Sequence, residues 1–400
     1  MKTILGIFFA ILLLTNCVGK TTTAPSATSE PIAEKAEPLL IGGKYLNDYT
    51  LEDADSLERV TLSIDPDNPL KMYSLENIEL LTNLRVLSIK ESNLNTVDLC
   101  PLIILTNLEI IFIHDTNFDS VDLSPLALLT NLKWLNIYDG KNLASVDLSP
   151  LSSLLNLEEL FIDGNISKLP DLTPLSKLKR IVIKNSDLES LDGLGAPFLE
   201  HMDINMKTFD SLAPLSNLTK LKSLNIVPRM NGSLMSIGNL SNVPSLEFLT
   251  IQTGAGGGSL DITGIEKLTG LAHVNFDLTE LVKPQGISGL RNLETLSMTL
   301  TDENPSIEYL RDLQNLDGLY IEGDSFWRNK SRESYQVLDV SPLGDNHNLK
   351  QLRMRHLIIK NIASLDNLKN LGLGRIDLLH SRLFDETEKS VHYLMFTVEE

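Results

Sequence analysis

Apolar residues recur along this chain in one short pattern: an apolar residue, two others, an apolar residue, one other and an apolar residue. Each copy ends in an alternating stretch such as Leu-Asn-Ile at 135–137, which is typical of a half-buried β-strand. The pattern predicts fourteen repeats, mostly 21 to 25 residues apart, each with one strand. Their first apolar positions are Leu57, Leu84, Leu108, Leu132, Leu157, Leu178, Leu199, Leu221, Leu246, Leu271, Leu293, Leu316, Leu349 and Leu368.

A second pattern lies between the strands, where a small residue precedes Pro-Leu. A hydroxyl can accept a hydrogen bond from an amide of a first helical turn, and proline suits the next position because it lacks an amide hydrogen. We therefore predict that each pair opens a short helix or 3₁₀ segment capped by the hydroxyl. The pairs are Ser124-Pro125, Ser149-Pro150, Thr173-Pro174, Ala213-Pro214 and Ser341-Pro342.

Repeats this small cannot bury their leucines alone, so neighbours must stack with their strands about 4.8 Å apart. Asparagine stands immediately before the first leucine in eight copies. Because asparagine tolerates tight turns and bonds to nearby backbone, we expect this column to be structural. It consists of Asn83, Asn107, Asn131, Asn156, Asn292, Asn315, Asn348 and Asn367.

The copies LCPLIILTNLEIIFI at 99–113 and LSPLALLTNLKWLNI at 123–137 resemble bacterial leucine-rich repeat proteins of the internalin-like type. The resemblance covers roughly residues 57–375. It implies an α/β solenoid, a leucine-rich repeat horseshoe of about fourteen coils. The parallel sheet would lie on its concave side and short helical or 3₁₀ segments on its convex side.

The N-terminus predicts a bacterial lipoprotein. Lys2 and the apolar run from Ile4 to Leu14 are typical of a signal peptide and are too short to span a membrane. Leu14-Thr15-Asn16-Cys17 resembles a lipobox, so we predict a signal peptide at 1–16 and lipidation of Cys17. Ordinary cleavage nearby is the alternative. The polar stretch that follows predicts a flexible tether at 17–38.

Caps are expected at both ends of the repeats, because an uncovered end would expose the shared core. We predict an N-terminal cap at 39–56, repeats at 57–375 and a C-terminal cap at 376–400. The formal net charge of -19 argues against nucleic acid as a partner. Two cysteines exclude a disulfide framework.

Alternation along the strands predicts an interaction surface. If Leu135 and Ile137 point inward, Trp134 and Tyr138 point outward onto the sheet. Exposed apolar surface and aromatic side chains mark protein interfaces, although cross-strand aromatic packing alone would also explain them. In this register the outward cluster is Ile110, Phe112, His114, Trp134, Tyr138 and Phe161, with a charged rim of Lys90, Glu159, Asp163, Arg180 and Lys184.

A second candidate surface lies near the long gap between Leu316 and Leu349, which contains GDSFWRNKSRESYQV at 323–337. Extra residues in one repeat form a loop on one face. We predict that Trp327 in this insertion joins the concave neighbours Tyr320, Arg353 and Arg355 in partner binding. A neutral excursion is the alternative.

Catalytic and cofactor motifs are weak. Gly323-Asp324-Ser325 lacks an assignable histidine, and GAGGGS at 254–259 lacks the lysine of a phosphate loop. We expect no enzyme activity, no cofactor and no metal. One column leaves calcium as an alternative to turn formation, because carboxylates bind calcium. Its members each precede proline by three residues: Asp98, Asp122, Asp147, Asp171 and Asp339.

The sequence thus predicts a lipid-anchored protein of the bacterial cell envelope, exposed on the surface, that binds a protein partner through the concave face. Adhesion or host interaction is the expected role, with membrane contact through the lipid alone. An envelope scaffold and a carbohydrate-binding module are the alternatives.

Overall fold

The computed structural model describes residues 37–38, 40–41, 44–45, 57–63, 73–75, 77–90, 96–114, 120–138, 146–207, 211–228, 235–252, 259–276, 279–302, 305–323, 335–368, 376–377, 381–385 and 390–393. The signal peptide at 1–16, lipidation of Cys17 and the tether up to residue 36 concern residues outside this set. Internal contacts divide the chain into two units. The first is Met1–Leu188 with Asp192–Leu199, and the second is Glu189–Leu191 with Glu200–Glu400.

In the first unit the repeats form a parallel sheet in which each strand pairs with that of the next repeat. Its strands are Arg59–Ser63, Val86–Lys90, Ile110–His114, Trp134–Tyr138, Glu159–Asp163 and Arg180–Lys184. Leu40–Ile41 pairs antiparallel with Arg59–Ser63 and with Lys44–Tyr45. Two small parallel pairs lie beside the sheet: Glu37–Pro38 with Tyr73–Ser74, and Thr96–Val97 with Ser120–Val121.

The second unit repeats this arrangement with eight parallel strands. They are His201–Met206, Ser223–Pro228, Phe248–Ile251, His273–Phe276, Thr295–Leu300, Gly318–Gly323, Gln351–Arg355 and Ile376–Asp377. A parallel side sheet holds Met235–Ser236, Ser259–Asp261 and Glu280–Val282. Another holds Gln336–Asp339, Leu357–Lys360 and Arg382–Asp385, with Ser390–Tyr393 antiparallel at its edge.

The segments between strands include short 3₁₀ helices whose leucines are spaced by three. In one repeat the amides of Leu126, Leu129 and Leu132 each bond to the carbonyl three residues earlier. At three residues per turn these side chains share one side, and each is fully buried. The helices are Ile78–Leu80, Cys100–Ile104, Ser124–Leu128, Ser149–Ser153, Ala213–Asn217, Gly238–Asn242, Ile265–Lys267, Pro284–Gly289, Glu308–Leu310, Ser341–Asp345 and Ile362–Asn367. Thr173-Pro174 forms a turn only.

The helix caps differ from the predicted ones. No N-cap side chain bonds into these helices, and the serine hydroxyl is not the acceptor. Instead Asp122 Oδ1 accepts hydrogen bonds from the amide of Ser124 at 2.9 Å and from its hydroxyl at 2.6 Å. The carboxylate is the better acceptor because it is charged. The same amide bond recurs at Asp98, Asp147, Asp171, Asp261 and Asp339.

The predicted structural role of the asparagine column is confirmed for six of its eight members, which bond to the neighbouring repeat. Asn131 Nδ2 donates to the carbonyl of Thr106 at 2.9 Å, and Asn107 donates to that of Thr82 at 3.0 Å. Each bond ties the start of one strand to the turn of the repeat before it. Equivalent bonds are made by Asn156, Asn292, Asn315 and Asn348.

Cys100 is disulfide-bonded. Cys17, the other cysteine of the chain, lies outside the described residues. Within the described part of the chain, no helix has the length and apolar character needed to cross a membrane.

Candidate functional site

The strand register places the predicted aromatic residues side by side on one face of the first unit's sheet. Trp134 lies opposite Ile110 and Glu159, and Tyr138 lies opposite His114 and Asp163. Strand residues alternate between two faces. We call the side that carries the first, third and fifth residue of each strand the open face.

The predicted outward direction of Trp134 and Tyr138 is confirmed. Their side chains are 40% and 44% exposed, while Leu135 and Ile137 between them are buried. The Tyr138 and Phe161 rings lie 6.1 Å apart at an interplanar angle of 52°. The sheet therefore holds two large aromatic side chains in water. We call the following set the aromatic patch: Ile110, Phe112, His114, Trp134, Tyr138 and Phe161.

One residue of the predicted charged rim lies deeper than expected. Asp163, expected in the charged rim, is only 3% exposed and accepts a hydrogen bond from Asn185 Nδ2 at 2.5 Å. Asn185 adopts a left-handed conformation with φ 52°, which asparagine tolerates. Val182 is also buried. Asp163 therefore serves the local packing and leaves the rim to Lys90, Glu159, Arg180 and Lys184.

A ladder of alternating charge, not anticipated from the sequence, runs beside the open face of the first unit. Glu109 accepts from Arg85 Nη2 at 2.5 Å and from Lys133 Nζ at 2.6 Å. These hydrogen bonds, that from Lys133 foremost, lower the pKa of Glu109. The sequence does contain this signal, because the charge of the residue after the first leucine alternates in sign from one repeat to the next. We call this set the charge ladder: Glu58, Arg85, Glu109, Lys133, Glu158 and Lys179.

Similar cross-repeat pairs occur in the second unit, where Lys222 Nζ lies 2.7 Å from Glu200 and Lys350 Nζ lies 2.7 Å from Asp317. The hydrogen bond from Lys222 to Glu200 raises the pKa of Lys222. Pairs of this kind favour one repeat-to-repeat register, because a shift by one position would oppose different side chains.

The structure brings three of the four residues of the second candidate surface together. Tyr320 and Arg353 are register partners, and the Arg353 guanidinium lies 5.6 Å from the Tyr320 ring centroid. Arg355 lies on the same strand face, opposite Glu322. Trp327 lies outside the described residues. The returning chain is anchored where Tyr335 packs edge-on against His356, 5.9 Å between centroids.

Sequence reasoning missed an aromatic pair on the open face of the second unit. Phe248 is 44% exposed, and its ring stacks on His273 with centroids 4.5 Å apart and an interplanar angle of 17°. The two residues are 25 positions apart but are direct register partners. Applying the strand alternation to this repeat would have revealed Phe248.

The aspartates of the column accept hydrogen bonds from turn amides, which is the turn role expected from the sequence. Hydrogen bonds from the Ser149 hydroxyl and amide lower the pKa of Asp147, and those from Thr263 lower the pKa of Asp261. Among the described residues no group of three or more His, Cys, Asp and Glu side chains could hold a metal ion. The Asp324-Ser325 and 254–258 motif residues lie outside the described ranges.

No protein-family model matches the chain, and no curated protein matches it. The chain is, however, similar to solved structures. An internalin (inlF) of Listeria monocytogenes has 21% sequence identity, with a TM-score of 0.65 over 82% of this chain and 88% of that chain. A leucine-rich repeat protein of Leptospira interrogans has 19% identity, with a TM-score of 0.62 over 89% and 92%.

A third structure is the leucine-rich repeat ectodomain of a plant membrane receptor kinase from Arabidopsis thaliana, in complex with Casparian strip integrity factor 2. It has 16% identity and a TM-score of 0.55, and the alignment covers 87% of this chain and 46% of that chain. At these identities the likeness concerns the fold. The parallel strands, the leucine-lined 3₁₀ segments and the three similar structures together confirm that this chain has the leucine-rich repeat fold.

Proposed function

We propose that this chain is a surface-exposed lipoprotein of the bacterial envelope that binds a protein partner through the aromatic patch. The observation that carries the proposal is the exposure of Trp134 and Tyr138 on a sheet whose opposite face is buried. Adhesion or host interaction is the role that such a surface would serve. The plant receptor ectodomain with its bound factor supports the general idea that this fold presents a surface to a protein ligand.

The aromatic patch has the features of the residues that supply most of the binding free energy of a protein interface. Aromatic side chains contribute much of the affinity of protein interfaces when a partner removes them from water. Here the aromatic residues lie on hydrogen-bonded strands whose backbone is already ordered. Binding a partner therefore costs little backbone conformational entropy. The half-buried Phe112 and Phe161 surround them with further apolar surface, while Lys90, Glu159 and Arg180 supply a charged border. Cross-strand packing would explain why aromatic rings contact one another in this patch. It would not require the Trp134 indole to be 40% exposed.

A double substitution tests the patch. We expect Trp134→Ala with Phe112→Ala to abolish capture of protein partners by the purified ectodomain and to leave the circular dichroism spectrum unchanged. Leu155→Ala is the matched control, because Leu155 is an exposed apolar residue of the same unit that lies outside the patch, at 54% exposure. Equal capture by the double variant and the control would show that the patch is not the site.

The envelope location rests on the N-terminal sequence, whose lipobox-like Leu14-Thr15-Asn16-Cys17 precedes a polar stretch. A lipid on Cys17 and a tether would hold the repeats at the membrane with the patch facing outward. Proteolysis of intact cells separates this arrangement from an internal envelope scaffold. Degradation of the protein supports surface display, whereas protection supports the scaffold.

A further inference from the structure

A short row of aliphatic side chains is exposed on the 3₁₀ side of the first unit. Leu80 and Ile104 are each the last residue of a 3₁₀ helix, and they are 42% and 53% exposed. Leu128 ends the next helix and is half-buried, while Leu155 follows the fourth helix and is exposed. We call these four residues the outer row. Of the eight large hydrophobic side chains exposed in the described part of the chain, three belong to it.

The position that is aliphatic in the outer row is polar in the second unit. In three successive repeats of the first unit this residue directly precedes a buried leucine, as Ile104 precedes Leu105. The equivalent residues Asn217, Asn242 and Lys267 are exposed and end the same kind of helix. The fold therefore does not require an aliphatic residue there. Single exposed apolar residues are ordinary, but a strip of neighbouring ones indicates contact with an apolar partner.

The surface that bears the outer row carries few charges. One charged side chain, Glu79, occurs in its helices and the turns after them, which are residues 78–82, 100–106, 124–130 and 149–155. One carboxylate oxygen of Glu79 is buried. Exposed aspartates stand two residues before three of these helices, at Asp98, Asp122 and Asp147. Together with the net charge of -19, they disfavour an anionic surface as the partner and leave a neutral or zwitterionic one.

The N-terminal chain meets the repeats beside the outer row. Glu37–Pro38 pairs in parallel with Tyr73–Ser74, which lies four residues before the helix that ends at Leu80. Twenty positions separate Cys17 from Glu37, and a polar tether of that length has a root-mean-square span of about 25 Å. A lipid on Cys17 would therefore keep the outer row close to the membrane surface.

We propose that the outer row docks on the lipid bilayer that holds the anchor, with its aliphatic side chains among the headgroups of zwitterionic lipids. The proposal rests on the proposed function, because the lipid on Cys17 supplies the membrane. Four side chains bind a free bilayer only weakly, since interfacial affinity follows the buried apolar area. The tether compensates for this weakness, because a short flexible linker gives a millimolar effective concentration.

Docking in this way sets the orientation of the aromatic patch. The outer row lies on the 3₁₀ side of the first unit and the aromatic patch on the open face of its sheet. The buried leucines of the helices and the inward residues of the strands fill the core between them. With the outer row on the bilayer, the aromatic patch is turned away from the membrane and toward a partner.

Vesicles with a chemical anchor test the docking. The chain that begins at Cys17 and carries Cys100→Ser has Cys17 as its one thiol. It is coupled to a maleimide lipid in phosphatidylcholine vesicles whose lipids are brominated near the headgroup. Ile104→Trp places a fluorophore in the outer row, and Asn217→Trp is the matched control at the equivalent position of the second unit. We expect the brominated lipid to quench most of the emission that Ile104→Trp adds and none of the emission that Asn217→Trp adds.

This design separates the docking from the proposed function. Because the anchor is chemical, a protein that cells do not lipidate would contradict the proposed function and would leave the vesicle result unchanged. Equal quenching of the two added tryptophans, or no quenching of the one at position 104, would overturn the docking. Shielding of that tryptophan from iodide without vesicles would also overturn it, since a second copy or another segment of the chain would then cover the outer row.

A loss of the aliphatic side chains provides the second test. Leu80→Ser with Leu155→Ser, added to the Ile104→Trp protein, should abolish the quenching by brominated lipid. Both leucines are exposed, so the melting temperature should not change. Quenching that persists in this variant would refute the role of the outer row.

Discussion

Asp122 shows how a single side chain shapes a repeat. Its carboxylate receives the amide and hydroxyl of Ser124 where the chain enters a 3₁₀ helix. The serine was expected to supply this acceptor, but it donates instead. The same position is taken by Ser211 and Ser236 in two repeats of the second unit, where the hydroxyl oxygen accepts from an amide two residues later. The geometry therefore requires an acceptor and does not require a charge.

Replacing Asp122 should destabilise its unit. We expect Asp122→Ala to lower the free energy of unfolding by about 1 kcal/mol, because an amide at the start of the helix loses its acceptor. Asp122→Ser keeps an oxygen at that place and should lose less. Urea denaturation followed by circular dichroism measures both. An alanine variant as stable as the serine variant would contradict this role.

Trp134 and Asp163 show what the alternation of strand residues can and cannot predict about the exposure of a side chain. Both stand on the open face of their strands, and both were expected to be exposed. Trp134 is exposed, but Asp163 is buried and accepts a hydrogen bond from Asn185. That bond depends on a left-handed residue 22 positions further on, which a strand pattern does not describe.

Among the elements, the charge ladder joins strands of successive repeats. Glu109 lies between Arg85 and Lys133, and the Lys133 hydrogen bond is the main cause of its lowered pKa. A carboxyl group with a lowered folded-state pKa stabilises the protein above its unfolded pKa, about 4.3 for glutamate. That contribution is lost as the pH falls through the folded pKa, since protonation removes the charge.

We therefore expect Glu109→Gln to be less stable than the wild type at pH 7 and to match it more closely at pH 3. The difference at pH 7 should also shrink with added salt, which screens exposed pairs. Urea denaturation at both pH values measures the effect. Glu159→Gln, on a strand two repeats further along the chain and exposed, is the control. If the Glu109 variant showed no difference at pH 7, the ladder would not contribute to stability.

The insertion between Gly323 and Tyr335 is the element that departs from the repeat. Its returning end is anchored, since Tyr335 packs on His356 and Gln336 Nε2 donates to the carbonyls of Leu300 and Asp302. We expect replacement of residues 325–334 by a Gly/Ser segment of equal length to leave the melting temperature unchanged and to weaken capture of a protein partner. Trp327→Ala should reproduce part of that loss. If both variants captured the protein partner at the wild-type level, the insertion would have no role in partner binding.

For the whole molecule, the fate of Cys17 decides how the protein is held. Cys100 is disulfide-bonded in the structure, and Cys17 is the other of the two cysteines in the sequence. Because one sulfur atom cannot carry both a lipid thioether and a disulfide, the lipid anchor proposed above and a disulfide from Cys17 to Cys100 are alternatives. We expect intact mass spectrometry of protein extracted from membranes to show a lipid on Cys17, and Cys17→Ser to release the protein into the soluble fraction. A lipid-free mass with Cys17 and Cys100 linked would exclude the anchor. Cys100→Ser is the control and should remain in the membrane fraction.

The repeat fold follows from the sequence alone, because strand alternation and leucine spacing are local. Leu126, Leu129 and Leu132 predict their buried side from spacing of three, and Trp134 predicts its open side from its neighbours. The tertiary structure alone decided which distant side chains meet and how deeply each lies. Phe248 stacks on His273 and Arg353 lies over Tyr320, because strands about 4.8 Å apart bring together residues far apart in the chain. Their depth depends on the size of the side chains between them, which no single repeat specifies.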